Sequence, residues 1–76
     1  MILENTIRQA SKLLKKNGIH SYELDAEIIL SDLMGVTREF LIINSHLDIS
    51  KNLTKKYKSA IKRRVNKEPV AYITGK

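Results

Sequence analysis

At 76 residues, the chain is long enough for one small domain and too short for a second. Its 42% hydrophobic and 29% charged residues fit an ordinary folded domain, and its longest apolar runs, 28–30 and 40–43, fall far short of the roughly 20 residues that cross a bilayer. The net charge of +6 is concentrated, since residues 51–76 hold nine bases against one acid while residues 1–50 hold five against seven.

The first helix is expected to open near Asn5 or Thr6, either of which suits a cap, and to run to Lys16. Leu3, Ile7, Ala10 and Leu14 recur on one face at helical spacing, and Leu13 widens that stripe. Arg8, Gln9 and Lys12 form the outer face. Lys15 and Lys16 complement the helix dipole, and Asn17-Gly18 stops it. A second helix should follow Ser21, whose hydroxyl suits a cap, and run from Tyr22 to Met34 with Gly35 just beyond. Tyr22, Ala26, Ile29, Leu30 and Leu33 make its main stripe, broadened by Leu24, Ile28 and Met34. So wide an apolar arc marks the central helix, with Ala26 admitting a close neighbour.

A short third helix is expected after Thr37, over residues 38–44, with Phe40, Leu41 and one of Ile42 and Ile43 turned inward. Residues 44–50 form the longest loop, pinned by Leu47 and Ile49. The fourth and longest helix should open after Ser50 and reach about Asn66, with Leu53, Tyr57, Ala60, Ile61 and Arg64 inward and Val65 beside them. Pro69 suits the first position of a short fifth helical turn that Gly75 ends. Val70, Tyr72 and Ile73 are expected to lie against the bundle, Tyr72 as a core tyrosine rather than a stacking platform. The fold class is therefore all-α, four helices plus a short fifth turn, in a single domain over residues 1–76.

Lys51, Lys55, Lys58 and Lys62 recur at steps of three and four residues on the outer face of the fourth helix, followed by Arg63 and Lys67. Lys51, Lys55, Lys58, Lys62 and Arg63 are the candidate partner-binding residues, suited to an acidic partner or a phosphate backbone; a merely solvated face is the plainer alternative. Arg64 continues the inward face, so it is expected to be partly buried and paired with Asp25, near the positive end of the second helix, or with a nearby backbone carbonyl, while Arg63 is expected to be exposed. Asp25 and Glu27 lie about 200° apart around that helix, which excludes a joint acid/base role. Asp25 and Asp32 share a face, but two carboxylates without further ligands make a poor cation site. His20 and His46 lack a second ligand at helical spacing, and the absence of cysteine removes thiolate sites and disulfides, in keeping with a reducing, cytoplasmic setting. The N-terminus lacks the basic-then-apolar layout of a signal peptide.

Two stretches carry a family resemblance. The first is Arg63-Arg64 followed by Glu68-Pro69-Val70-Ala71-Tyr72-Ile73-Thr74-Gly75; the second is Asp25-Ala26-Glu27 followed by Ile28-Ile29-Leu30, Leu33 and Gly35. Together they resemble the N-terminal helical domain of the HemK/PrmC family, the S-adenosylmethionine-dependent methyltransferases that modify the glutamine of the Gly-Gly-Gln motif in peptide chain release factors. The resemblance implies that the domain recognises the substrate and that residues 68–76 begin the linker to a catalytic domain, the fragment itself carrying no catalytic, cofactor or metal site. It implies a release factor as partner, with a ribosomal protein as the substrate of a close relative, and S-adenosylmethionine as the parent enzyme's cofactor. The residues read above as structural are Asp25, Arg64, Pro69, Tyr72 and Gly75. Two other readings stay open: a freestanding basic helical module that binds nucleic acid, and a bundle that only caps and stabilises its catalytic partner.

Overall fold

Helix α1 (Leu3–Lys16) opens earlier than a cap at Asn5 or Thr6 would place it, in a computed structural model that describes residues 1–75. The loop after the third helix takes the place of a side-chain cap. Leu3 and Glu4 donate their backbone amides to the carbonyls of Leu47 (2.8 Å) and Ser45 (3.0 Å), which satisfies donors that a helix start otherwise leaves open. Thr6 is thereby drawn inside the first turn, where it is buried and its hydroxyl donates to the Ile2 carbonyl at 3.1 Å. An isolated antiparallel bridge between Ile2 and Asp48, with the Ile49 amide on the Met1 carbonyl at 2.9 Å, extends this seam.

Four further helices follow: α2 (Tyr22–Met34), α3 (Arg38–Ile43), α4 (Lys51–Val65) and α5 (Val70–Thr74). Among the described residues the protein is an all-α bundle. Helix α2 is central, packing against each of the other four. Its buried Ala26, Ile29 and Leu30 meet Leu3, Ala10 and Leu14 of α1 and Tyr57, Ala60 and Ile61 of α4 in one core, which Ile19, Leu41 and Ile49 complete. The buried arc of α2 is narrower than the sequence suggests, because Leu24 and Leu33 remain exposed.

Helices α1 and α4 run side by side in the same direction. Their starts are joined through Met1 and Ile49, and their ends through Lys67, whose ammonium donates to the Asn17 carbonyl at 2.6 Å. Helix α2 returns between them, its first turn held to the last turn of α4 by the Asp25–Arg64 pair.

Helix α3 departs from expectation. Only Leu41 is buried, Phe40 sits at the margin, and Ile42 and Ile43 are 67% and 80% exposed. A helix of six residues packed chiefly on one neighbour has room for a single inward position. Of the two anchors expected in the loop, Ile49 is buried and Leu47 contributes its carbonyl rather than its side chain.

Candidate docking surface

Helix α4 is built so that one face is locked inward while the other is left to solvent. Ser50 caps it, the hydroxyl accepting from the Leu53 amide at 3.1 Å. Tyr57 is the largest fully buried side chain, and its hydroxyl donates to the Ala26 carbonyl at 2.7 Å. The small Ala26 side chain is what permits that approach. Burial, reinforced by the nearby Glu27 charge, pushes the Tyr57 hydroxyl far above its ordinary pKa.

The two arginines of α4 serve different contacts. Arg64 is half-buried; its Nε donates to Asp25 Oδ2 at 2.9 Å and its Nη1 to the Glu68 carbonyl at 3.2 Å. Ser21 also donates to Asp25 Oδ2, at 2.8 Å, so its hydroxyl supports the carboxylate instead of capping α2 as expected. Asp25 is only 5% exposed, and each of these hydrogen bonds offsets the cost of burying its charge. Arg63 is exposed and grips the Glu68 carboxylate through Nε and Nη2. That hydrogen bond holds the Glu68 carboxyl below its ordinary range and raises Arg63 in turn. Arg63, placed with the partner-binding lysines by sequence, is therefore already occupied within the chain.

Lys51, Lys55, Lys58 and Lys62 are all exposed, as is Lys56. They divide between two flanks of α4: Lys55 and Lys56 line a depression toward α2 and α5, while Lys58 and Lys62 border a groove toward α1. Lys67 leaves the stripe altogether, since it adopts a left-handed backbone (φ +69°) and turns back to Asn17.

At the C-terminal end, Pro69 caps α5 instead of being its first residue. Its carbonyl accepts from the amides of Tyr72 and Ile73 at 3.0 and 3.2 Å. Val70 and Ile73 pack on the core, and Gly75 ends the turn with φ +74°. Tyr72 does not pack inward: it is 72% exposed, because a five-residue helix turns only one narrow side to the bundle and Tyr72 lies about 200° around from Val70.

The α1–α4 groove, about 330 Å³ in volume, is floored by Ala10, Leu13, Ile61 and Val65, and no carboxylate lines it. Leu13 remains 45% exposed there. Sequence inspection marks the two residues responsible, Leu13 at the edge of one stripe and Val65 at the edge of another, but the groove exists only once α1 and α4 are paired in parallel. Two further contacts escape a sequence reading: Arg38 donates twice to Glu27 Oε1, at 3.0 and 2.8 Å, and Lys15 lies 5.4 Å over the Tyr22 ring. His46 stands 3.7 Å from Glu4 on the surface. Among the described residues no three of His, Cys, Asp and Glu gather into a metal site, and no helix is long and apolar enough to cross a membrane.

Seen through these contacts, the two motif stretches meet in space. Asp25 of one takes Arg64 of the other, and α2 packs on α5. The class so defined is a small all-α domain with a cationic outer helix. The chain belongs to the PrmC N-terminal domain family, whose sequence pattern matches residues 5–75. It is similar to the release factor glutamine methyltransferase of Clostridium botulinum, 35% identical over 75 residues that make up 99% of this chain and 26% of that protein. The release factor glutamine methyltransferase of Buchnera aphidicola is 46% identical over 70 residues, 92% of this chain and 25% of that protein. A protein of Rickettsia felis named bifunctional methyltransferase is 32% identical over 73 residues, 96% of this chain and 14% of its own length. The chain thus spans about a quarter of the length of the release factor glutamine methyltransferases it matches. No solved structure matches it.

Proposed function

We propose that this chain is the N-terminal domain of a cytoplasmic, S-adenosylmethionine-dependent protein-glutamine N5-methyltransferase, and that it docks a peptide chain release factor so that the glutamine of the Gly-Gly-Gln motif reaches a catalytic domain following residue 76. The family match over residues 5–75, shared with relatives about four times as long that are named for this activity, carries the reading. Cofactor and chemistry belong to that further domain. The described residues do not fit S-adenosylmethionine, because Gly18, Gly35 and Gly75 each end a helix and none contributes to a glycine-rich loop.

The part left to this domain is positioning. Binding energy gained away from the reacting atoms holds a side chain where it reacts, and a rigid bundle with a cationic face supplies it. The Arg64 contacts to Asp25 and to the Glu68 carbonyl fix the direction in which the chain leaves α4 toward α5. In the intact methyltransferase, Lys55→Glu combined with Lys58→Glu should lower kcat/KM for the release factor about tenfold with melting temperature unchanged. Unchanged methylation would leave the bundle as a stabilising cap and contradict docking. A ribosomal protein that is methylated faster than the release factor would keep the docking role and change the substrate.

One observation favours a second reading. Lys51, Lys55, Lys56, Lys58 and Lys62 are all exposed on one helix, as a phosphate-binding stripe requires. Affinity for RNA that falls steeply with salt and is indifferent to sequence would support a nucleic-acid module.

A further inference from the structure

We infer that the α1–α4 groove, rather than the basic face as a whole, is the seat of the docked partner, and that its occupant is an acidic amphipathic helical segment of the substrate protein. The inference rests on the docking role proposed above. Three features of the groove select that occupant. Its floor is apolar, formed by Ala10, Leu13, Ile61 and Val65, with Leu13 left 45% exposed in the last turn of α1. Its rim is cationic, with Lys58 and Lys62 on the α4 side and no carboxylate among the lining residues. Its length is set by the paired helices: Thr6 to Leu13 on one wall spans about 10 Å, the length of two helical turns.

A segment that fits must offer apolar side chains at i and i+3 or i+4 for the floor. It must carry carboxylates at a similar spacing for Lys58 and Lys62, which lie one turn apart. That is helix-in-groove recognition with charge complementarity at the rim. The rival apolar surface on α3, where Ile42 and Ile43 are exposed, borders a depression lined by the carboxylates of Glu4 and Glu27 and by no lysine or arginine, so it does not suit an acidic segment.

Calorimetric titration of the release factor into the domain separates these possibilities. Leu13→Glu puts a carboxylate on the apolar floor at an already half-exposed position, and Lys62→Glu reverses the rim on a solvent face, so both variants should keep the helical content of the wild type by circular dichroism. Each is expected to weaken binding about tenfold or more, whereas Ile42→Glu on α3 binds like the wild type. Lys62→Glu should also flatten the salt dependence of affinity. If Leu13→Glu and Lys62→Glu bind normally, or Ile42→Glu alone loses affinity, the groove is overturned while docking stands. If the wild-type domain does not bind the release factor, docking and groove fall together. Self-association of the domain that Leu13→Glu abolishes would give the groove to a second copy of this chain and overturn the proposal.

Discussion

Asp25, Ala26 and Glu27 stand in a row on α2, and each makes a contact with another helix. Asp25 holds Arg64 at the end of α4, the Ala26 carbonyl receives Tyr57, and Glu27 holds Arg38 at the start of α3. The charge pairing of Asp25 is legible in the sequence, because Arg64 falls on the inward face of its helix and a buried guanidinium needs a carboxylate. The Tyr57 bond is not, since a backbone carbonyl leaves no mark in the sequence. Tyr57→Phe should cost about 1 kcal/mol in urea unfolding, the worth of one buried hydrogen bond. It should also change the alkaline limb of stability. Below the ordinary tyrosine pKa of 10.0 the hydroxyl is protonated in both folded and unfolded chains, so its contribution is complete there. Above it the unfolded chain releases the proton while the buried hydroxyl keeps it, so stability falls as pH rises, by about 1.4 kcal/mol per pH unit at most. Compared between about pH 8 and about pH 11, Tyr57→Phe should lose less stability than the wild type. An equal loss in both would mean that Tyr57 is not held as described.

Three helices of the bundle end in the same way. At the ends of α1, α2 and α4 a residue at the cap or just after it adopts a left-handed backbone, with φ of +79° at Gly18, +67° at Gly35 and +69° at Lys67. The amide of that residue and the one after it fold back on the last turn: Gly18 to Lys15 and Ile19 to Leu14, Gly35 to Asp32 and Val36 to Ser31, Lys67 to Arg64 and Glu68 to Arg63. The first two ends can be read from glycine alone. The third cannot, because lysine gives no sign of a left-handed turn; its backbone cost of about 1 kcal/mol is offset by the ammonium bond to Asn17 across the bundle. Gly35→Ala isolates that torsional cost, since an added Cβ would meet nothing within 4 Å. It should destabilise the domain by about 1 kcal/mol, read as a shift of the urea midpoint at constant slope. No shift would show that the left-handed turn is not required there. Helix α3 failed to follow its pattern for a related reason. Four adjacent apolar residues give no period, so nothing in 40–43 distinguishes the inward Leu41 from the outward Ile42 and Ile43.

At the scale of the whole molecule, the arrangement is a central α2 running back between two parallel helices, with α3 and α5 as short braces. The centrality of α2 is visible in its wide apolar arc, and the cationic outer face of α4 in its lysine spacing. The α1–α4 groove belongs to neither helix alone, so no single-element pattern announces it. The inward place expected for Tyr72 fails at this scale too, because α5 is too short to bury more than Val70 and Ile73. The proposed docking role places a protein partner on α4 and its α1 flank, where Lys58 and Lys62 border an apolar groove. Amide chemical-shift titration of the domain with a release factor, run beside a generic RNA hairpin at the same salt, tests that claim most directly. Shifts confined to Gln9, Leu13, Lys58, Lys62, Val65 and their neighbours with the release factor, and weak salt-sensitive shifts with RNA, are the predicted result. Strong shifts with RNA and none with the release factor would contradict it.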